Sequence, residues 1–178
     1  MEIGSLRKRR LHMAEQPDFP HIDADGLWCQ VISPPPGDAP RPALFLDRDG
    51  VVVMEVNYLH RHQDLRLIPG AAPTVKWAND RGIPVVLVTN QSGVGRRYYE
   101  WRHFAQVQEK LLTELARLGA RLDGVFACPY HPDGRPPFDH PDHPARKPNP
   151  GMLRAAASRL GLDLARSWIV GDRAIDLR

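Results

Sequence analysis

The chain has 178 residues, of which 42% are hydrophobic and 25% charged, the profile of one globular domain with a core of its own. Lys and Arg number 24 against 21 Asp and Glu, and the net charge of +3 with its signs interspersed argues for neither a nucleic-acid nor a membrane partner. No run approaches the roughly eighteen apolar residues of a membrane span, and Arg7, Lys8, Arg9 and Arg10 have no apolar stretch behind them, so secretion and membrane insertion are not expected. The two cysteines, Cys29 and Cys128, lie far apart, which excludes a disulfide framework and suits a reducing, cytoplasmic compartment.

Proline divides the chain: of 18, seven fall in residues 1–42 and eight in 129–150. Residues 1–42, with the run Pro34-Pro35-Pro36, read as an irregular N-terminal arm whose basic segment is a solvated tail. From residue 43 to 178 the pattern is that of an α/β domain. Residues 43–46 and 85–88 are short, uninterrupted apolar runs of the kind that form strands buried on both faces. Between them, Pro69-Gly70 turns the chain into a helix over 71–80, closed near Gly82. Trp101, Phe104, Gln108, Leu111, Leu112, Leu115 and Leu118 recur at three- and four-residue steps, which predicts a helix over about 99–118 with Gly119 as its stop. Residues 124–127 read as a third strand. Asn149-Pro150 caps and opens a helix to Leu160, with Gly161 closing it, and 168–170 form a fourth strand. This alternation predicts a doubly wound, mainly parallel, Rossmann-like sheet.

Ligands of such sheets bind beyond the carboxyl ends of the strands, where four polar clusters fall. Asp47-Arg48-Asp49-Gly50 brings two carboxylates off a strand end on one side, suited to a metal ion and to a nucleophile beside an acid. Thr89-Asn90-Gln91-Ser92-Gly93 sets hydroxyls and amides at a strand-to-helix turn, a place for a phosphate oxygen. Arg146-Lys147-Pro148 supplies a forked donor and a point charge. Gly171-Asp172, with Asp176, adds acid. Each cluster alone is also turn and capping chemistry. Together they would crowd like charges at one sheet edge unless a divalent cation or a phosphate is bound among them.

In that order the four clusters resemble the motifs of the haloacid dehalogenase superfamily of phosphotransferases. The likeness spans residues 43–178 and is closest to the branch acting on heptose bisphosphates, with the histidinol-phosphate phosphatases as near relatives. The resemblance implies a haloacid-dehalogenase-like fold with a small loop cap and a phosphoaspartyl mechanism. Asp47 is then the nucleophile and Asp49 the general acid and base, while Thr89 and Lys147 hold the phosphoryl group. It further implies Mg²⁺ held by Asp47, Asp49 (through its carbonyl) and Asp172, and substrate contacts from Glu55, Val56, Asn57, Tyr58, Asn90, Gln91, Ser92 and Arg146. Asp176 supports the metal from outside or caps a helix. The substrate implied is a small phosphorylated sugar met by a monomer.

Departures from the family pattern qualify these expectations. Relatives have Thr and Asn where this chain has Val51 and Val53, and Lys where it has Arg173. Many hold a structural zinc in the loop before the Arg-Lys-Pro motif; here Cys128, His131 and His143, with His140, could supply an unusual Cys-His₃ set, and a proline-stiffened loop without zinc is the preferred reading. Relatives also continue past residue 178, so an apparently truncated C-terminus and an open edge beside the fourth strand are expected. The competing functions are a histidinol-phosphate phosphatase and a catalytically impaired phosphosugar-binding protein.

Overall fold

The computed structural model describes residues 20–34, 37 and 39–176; the basic run at Arg7–Arg10 lies outside the described residues. The strands are β1 (Trp28–Val31), β2 (Leu44–Leu46), β3 (Val85–Asn90), β4 (Gly124–Cys128) and β5 (Trp168–Val170). The helices are α1 (Ala71–Asp80), α2 (Ser92–Gly95), α3 (Trp101–Arg117) and α4 (Gly151–Leu160). One sheet runs in the order β1-β4-β3-β2-β5, parallel throughout except for β1, which is antiparallel to β4. The doubly wound α/β expectation therefore describes the fold.

Because successive strand residues point to opposite faces, the buried strands feed two cores at once. Val85 and Leu87 join Val75 of α1 and Phe104, Leu111 and Leu115 of α3 on one face. Val86 and Val88 join Phe45, Phe126 and the Met152, Ala156 and Leu160 row of α4 on the other. Local chemistry sets the helix ends. Gly70, in the left-handed region at φ 92, precedes α1, and Gly161 at φ 63 stops α4. A capping box opens α3, with the Glu100 side chain accepting from the His103 amide and His103 Nδ1 accepting from the Glu100 amide.

The structure departs from the sequence reading at particular places. Residues 28–31, read as part of an irregular arm, form β1, an edge strand whose Trp28 packs on Trp101 and Phe104 at ring distances of 5.8 and 5.1 Å. The prolines bound this strand rather than interrupt it, and an edge needs only one side's hydrogen bonds. β3 extends through Thr89 and Asn90, so two residues expected in a turn belong to the sheet. Helix α3 buries Val107 and leaves Leu118 55% exposed, since the helix ends at Arg117. Asn149 does not cap α4: its Nδ2 donates to Asp142 and to the His143 carbonyl. Among the described residues β5 pairs with β2 alone, and Trp168 and Val170 on it are 63% and 45% exposed.

Gln108 is 1% exposed in the middle of α3, and neither its Nε2 nor its Oε1 meets a hydrogen-bond partner among the described residues. An unpaired buried amide costs about 1–3 kcal/mol. Replacement Gln108→Met, similar in shape and apolar, is expected to stabilise the fold by about 1–2 kcal/mol on that scale. A urea or thermal melt checks this, and an unchanged or lowered midpoint contradicts it.

Candidate active site

The carboxyl ends of β2, β3 and β5 open into one cleft. Asp47 follows β2 directly; its amide donates to the Val170 carbonyl of β5 and its Oδ1 accepts from the Arg48 amide at 2.7 Å. Gly50 then turns the chain at φ 82, and a Cβ there would run into the Asp172 carboxylate, so glycine allows the two acidic segments to close on each other. Lys147, 6% exposed, reaches between them: its Nζ lies 2.9 Å from Asp47 Oδ2 and 2.6 Å from Asp176 Oδ1, and donates to the Val88 carbonyl. Asn90 clamps the backbone of Lys147 with both ends of its amide, Nδ2 donating to the Lys147 carbonyl and Oδ1 accepting from the Lys147 amide. Burial pushes the Asp47 carboxyl above its ordinary range, and Lys147 only partly offsets this.

Arg48 is not a residue the sequence reading singled out, and it is 1% exposed. Its Nη2 stands 3.0 Å from Asp49 Oδ2 and its Nε bonds both Asp49 oxygens. Burial opposes the guanidinium charge, but Asp49, Tyr99 and Asp47 outweigh it and raise its pKa. Gln91 Nε2 donates to Asp49 Oδ2 and to Thr89 Oγ1 at 3.1 and 2.9 Å, while its Oε1 accepts from Arg48 Nη2 and the Tyr99 hydroxyl. The Asp49 carboxylate is thereby held by Arg48 and Gln91 together.

The cleft, about 200 Å³ in volume, is lined by Asp47, Asp49, Thr89, Lys147, Asn90, Gln91, Ser92 and the stretch Glu55, Val56, Asn57 and Tyr58, all expected from the sequence. Arg48, Leu59, Tyr99, Arg173 and Ile175 line it as well. Of these Arg48 carried a signal, a charge between two acids at the exit of an apolar strand, and Arg173 was noted as standing where relatives have Lys. Arg146 does not line it: its Nη1 is held by the Tyr130 carbonyl at 2.9 Å. Across the mouth Arg173 pairs with Glu55 at 3.4 Å. Arg96 links two loops, donating to the Tyr58 hydroxyl at 3.0 Å and pairing with Asp133 at 2.7 Å. Tyr58 itself has a left-handed backbone, φ 58, at this rim.

One metal set, for Mg²⁺, was expected, and a second, for zinc, was weighed against a zinc-free loop. For the first, the carboxylates of Asp47, Asp172 and Asp176 offer oxygens within 4.8 Å of one another. Asp176 joins Asp47 and Asp172 in that group, while the Asp49 carboxylate is taken up by Arg48 and Gln91, which leaves the Asp49 carbonyl as the atom expected to face the cation. Asp176 also accepts from the Arg173 amide, so both of its open sequence readings have a geometric counterpart. Three hard oxygen donors with one lysine between them fit a cation such as Mg²⁺. For the second set, Cys128 is fully buried and its thiol is pushed up to about 12, chiefly by burial, which disfavours the thiolate that zinc requires. His131 faces the Arg96 guanidinium, and His143 stacks on Tyr130 at 3.6 Å with its Nδ1 accepting from the Ala145 amide. The structure thus does not draw Cys128, His131 and His143 together; among the described residues, the group close enough to share an ion is the aspartate triad.

A buried carboxylate, a restrained acid beside it, a hydroxyl and a lysine at the ends of parallel strands define a hydrolase of phosphate esters by class. The family model of haloacid dehalogenase-like hydrolases matches residues 38–178, and the chain belongs to that family. A D-glycero-beta-D-manno-heptose-1,7-bisphosphate 7-phosphatase of Mesorhizobium japonicum is 45% identical over 167 residues, covering 93% of this chain and 77% of the relative. A crystal structure described as that of a HAD-like phosphatase from Mesorhizobium loti matches with a TM-score of 0.84 and 46% identity, over 88% of this chain and 76% of that one. The D,D-heptose 1,7-bisphosphate phosphatase of B. bronchiseptica, solved in complex with magnesium and phosphate, matches with a TM-score of 0.68 and 33% identity, over 76% and 73% of the two chains.

The Asp47 environment makes a stability prediction. Its carboxyl holds a proton more readily folded than unfolded, so the folded state binds more protons from about pH 3.8 up to the raised value, and stability falls as pH rises through that window. Asp47→Asn removes this slope. Without Mg²⁺ the variant is expected to melt above the wild type at pH 7 and to lose the advantage towards pH 4. With Mg²⁺ at about a hundred times its Kd, wild type should gain about 2.7 kcal/mol and the variant far less. Thermal melts at both pH values, with and without Mg²⁺, decide; a variant that gains as much from Mg²⁺ as wild type counts against Asp47 as a ligand.

Proposed function

We propose that this protein is a Mg²⁺-dependent phosphomonoesterase that removes the 7-phosphate of D-glycero-D-manno-heptose 1,7-bisphosphate. The observation that carries the reading is the convergence of Asp47, Asp49, Thr89 and Lys147 on one cleft, in a chain 45% identical to a phosphatase named for that substrate. The histidinol-phosphate and impaired-binder alternatives are not favoured, since the relatives are heptose bisphosphate phosphatases and the reactive groups are all present.

In this reading an Asp47 oxygen attacks phosphorus in line while the bond from phosphorus to the sugar oxygen breaks. The departing oxygen takes the Asp49 proton. Asp49, now ionised, takes a proton from the water that hydrolyses the aspartyl phosphate and frees Asp47. Lys147 and the Thr89 hydroxyl hold the phosphoryl oxygens, on which charge develops. Asp47, Asp172 and the Asp49 carbonyl, with Asp176 alongside, would hold Mg²⁺, which when bound would supply positive charge that favours the ionised Asp47 against its burial. Glu55, Val56, Asn57, Tyr58, Asn90 and Ser92 form the wall facing the sugar, and Arg146 waits at the margin for the second phosphate. The same reading takes the protein as a cytoplasmic monomer without nucleic-acid or membrane partners. In support, the net charge is only +3 and, among the described residues, no helix is long and apolar enough to cross a membrane.

Phosphate release from heptose 1,7-bisphosphate, compared with histidinol phosphate, tests the proposal. Turnover is expected to favour the bisphosphate, to vanish on chelation and to fall by at least about 10³-fold in Asp47→Asn. A preference for histidinol phosphate overturns the substrate; no turnover by folded protein overturns the enzyme.

A further inference from the structure

We propose that Gln91 is a positioning residue that couples the acid–base carboxylate of Asp49 to the phosphate-binding hydroxyl of Thr89, rather than a residue that contacts substrate. A primary amide has two donor hydrogens and two acceptor lone pairs. In Gln91, 2% exposed, all four are spent inside the protein: on Asp49 and Thr89 through Nε2, and on Arg48 and Tyr99 through Oε1. A sugar hydroxyl or phosphate oxygen could bind this amide only by displacing one of them.

The partners also settle which way the amide points. Reversed, it would aim its oxygen at the Asp49 carboxylate and its hydrogens at the Arg48 guanidinium, two repulsive contacts in place of two attractive ones. In the observed orientation Thr89 Oγ1 accepts from Gln91, which leaves the single hydroxyl hydrogen of Thr89 for a phosphoryl oxygen in the cleft. Asp49 receives Gln91 and Arg48 together, which fixes its rotamer and holds it apart from the aspartates that gather for the cation. One planar group thus sets the distance between the atom that grips the phosphoryl group and the atom that protonates the leaving oxygen.

Gln91 is itself braced from the core. Tyr99 donates to it at 2.6 Å and stacks on His60. Arg48 lies over the Phe104 ring at 5.4 Å. Gly93 is required for this bracing, because a Cβ at that position would run into the Tyr99 ring. Position therefore passes from the packed start of α3, through Tyr99 and Gln91, to Asp49.

The inference rests on the acid–base role of Asp49 proposed above, and the experiment separates the two. Single-turnover rates of leaving-group release at saturating substrate are measured for heptose 1,7-bisphosphate, whose alkoxide must be protonated as it departs, and for p-nitrophenyl phosphate, whose phenolate departs without a proton. Asp49→Asn serves as the reference, and Gln91→Met and Tyr99→Phe as the variants. Gln91→Met is expected to lose about 10²-fold on the sugar phosphate and about tenfold or less on p-nitrophenyl phosphate, with half-saturation changed by less than about threefold. Tyr99→Phe, which keeps the fold if Gln91→Met melts early, should shift the ratio in the same direction by less. If Asp49→Asn discriminates between the leaving groups and Gln91→Met slows both equally, the positioning role is overturned. A raised half-saturation with the rate preserved overturns it in favour of substrate contact. If wild type is inactive or Asp49→Asn does not discriminate, the reading beneath it fails and takes the inference with it.

Discussion

Everything at the strand ends depends on one buried ammonium group. Lys147 sits between Asp47 and Asp176, which come from opposite ends of the domain's sequence, and also bonds the Val88 carbonyl of the central strand. A buried lysine is tolerable only when paired, and two buried carboxylates at one sheet edge are tolerable only when neutralised. Each side thus supplies what the other lacks. The Asn90 clamp on the Lys147 backbone makes the arrangement stiff, because Asn90 belongs to β3 and not to a turn. The same contact that joins the loop before α4 to the sheet also puts the positive charge at the cleft, where the proposed reaction needs it.

Around this centre the structure separates a stiff floor from a loop-built rim. Asp47, Thr89, Asn90 and Gln91 are fixed by strands and by buried partners, the kind of support that holds reacting groups in register. The rim is made of loops: Tyr58 with its left-handed backbone, the Arg96 link to Asp133, and the exposed Glu55 and Arg173 pair. Loops tolerate change at little cost to a fold. In the proline-rich loop the ring stack of Tyr130 on His143 occupies the segment where a zinc site was weighed against a zinc-free loop.

Much of the site was legible because carboxylates, a hydroxyl and a lysine stood immediately after apolar runs, and a parallel sheet gathers such positions at one edge. What stayed hidden was direction. Asp49 and Asp176 are both acids after strands, yet the Asp176 carboxylate gathers with those of Asp47 and Asp172 while the Asp49 carboxylate turns to Arg48 and Gln91. Gln91 looked like a ligand for substrate because it stands in a phosphate-binding motif; that its four hydrogen-bonding positions are already filled is visible only with Tyr99 and Arg48 beside it. Arg146 was read with its neighbour Lys147, but adjacent side chains diverge, and Arg146 turned to the Tyr130 carbonyl. β1 was concealed by the prolines that flank it.

The sequence by itself determined the alternation of strand and helix, the two-sided burial of the strands and the gathering of polar clusters at the strand ends, because these follow from periodicity and from where polar residues interrupt it. Only the tertiary structure decided which acid meets which cation, which amide faces inward, and that residues 28–31 add an antiparallel strand beside β4. The physical reason is that periodicity is a local property of the chain. Charge neutralisation and the satisfaction of buried hydrogen bonds are settled among residues far apart in sequence, such as Asp47, Lys147 and Asp176.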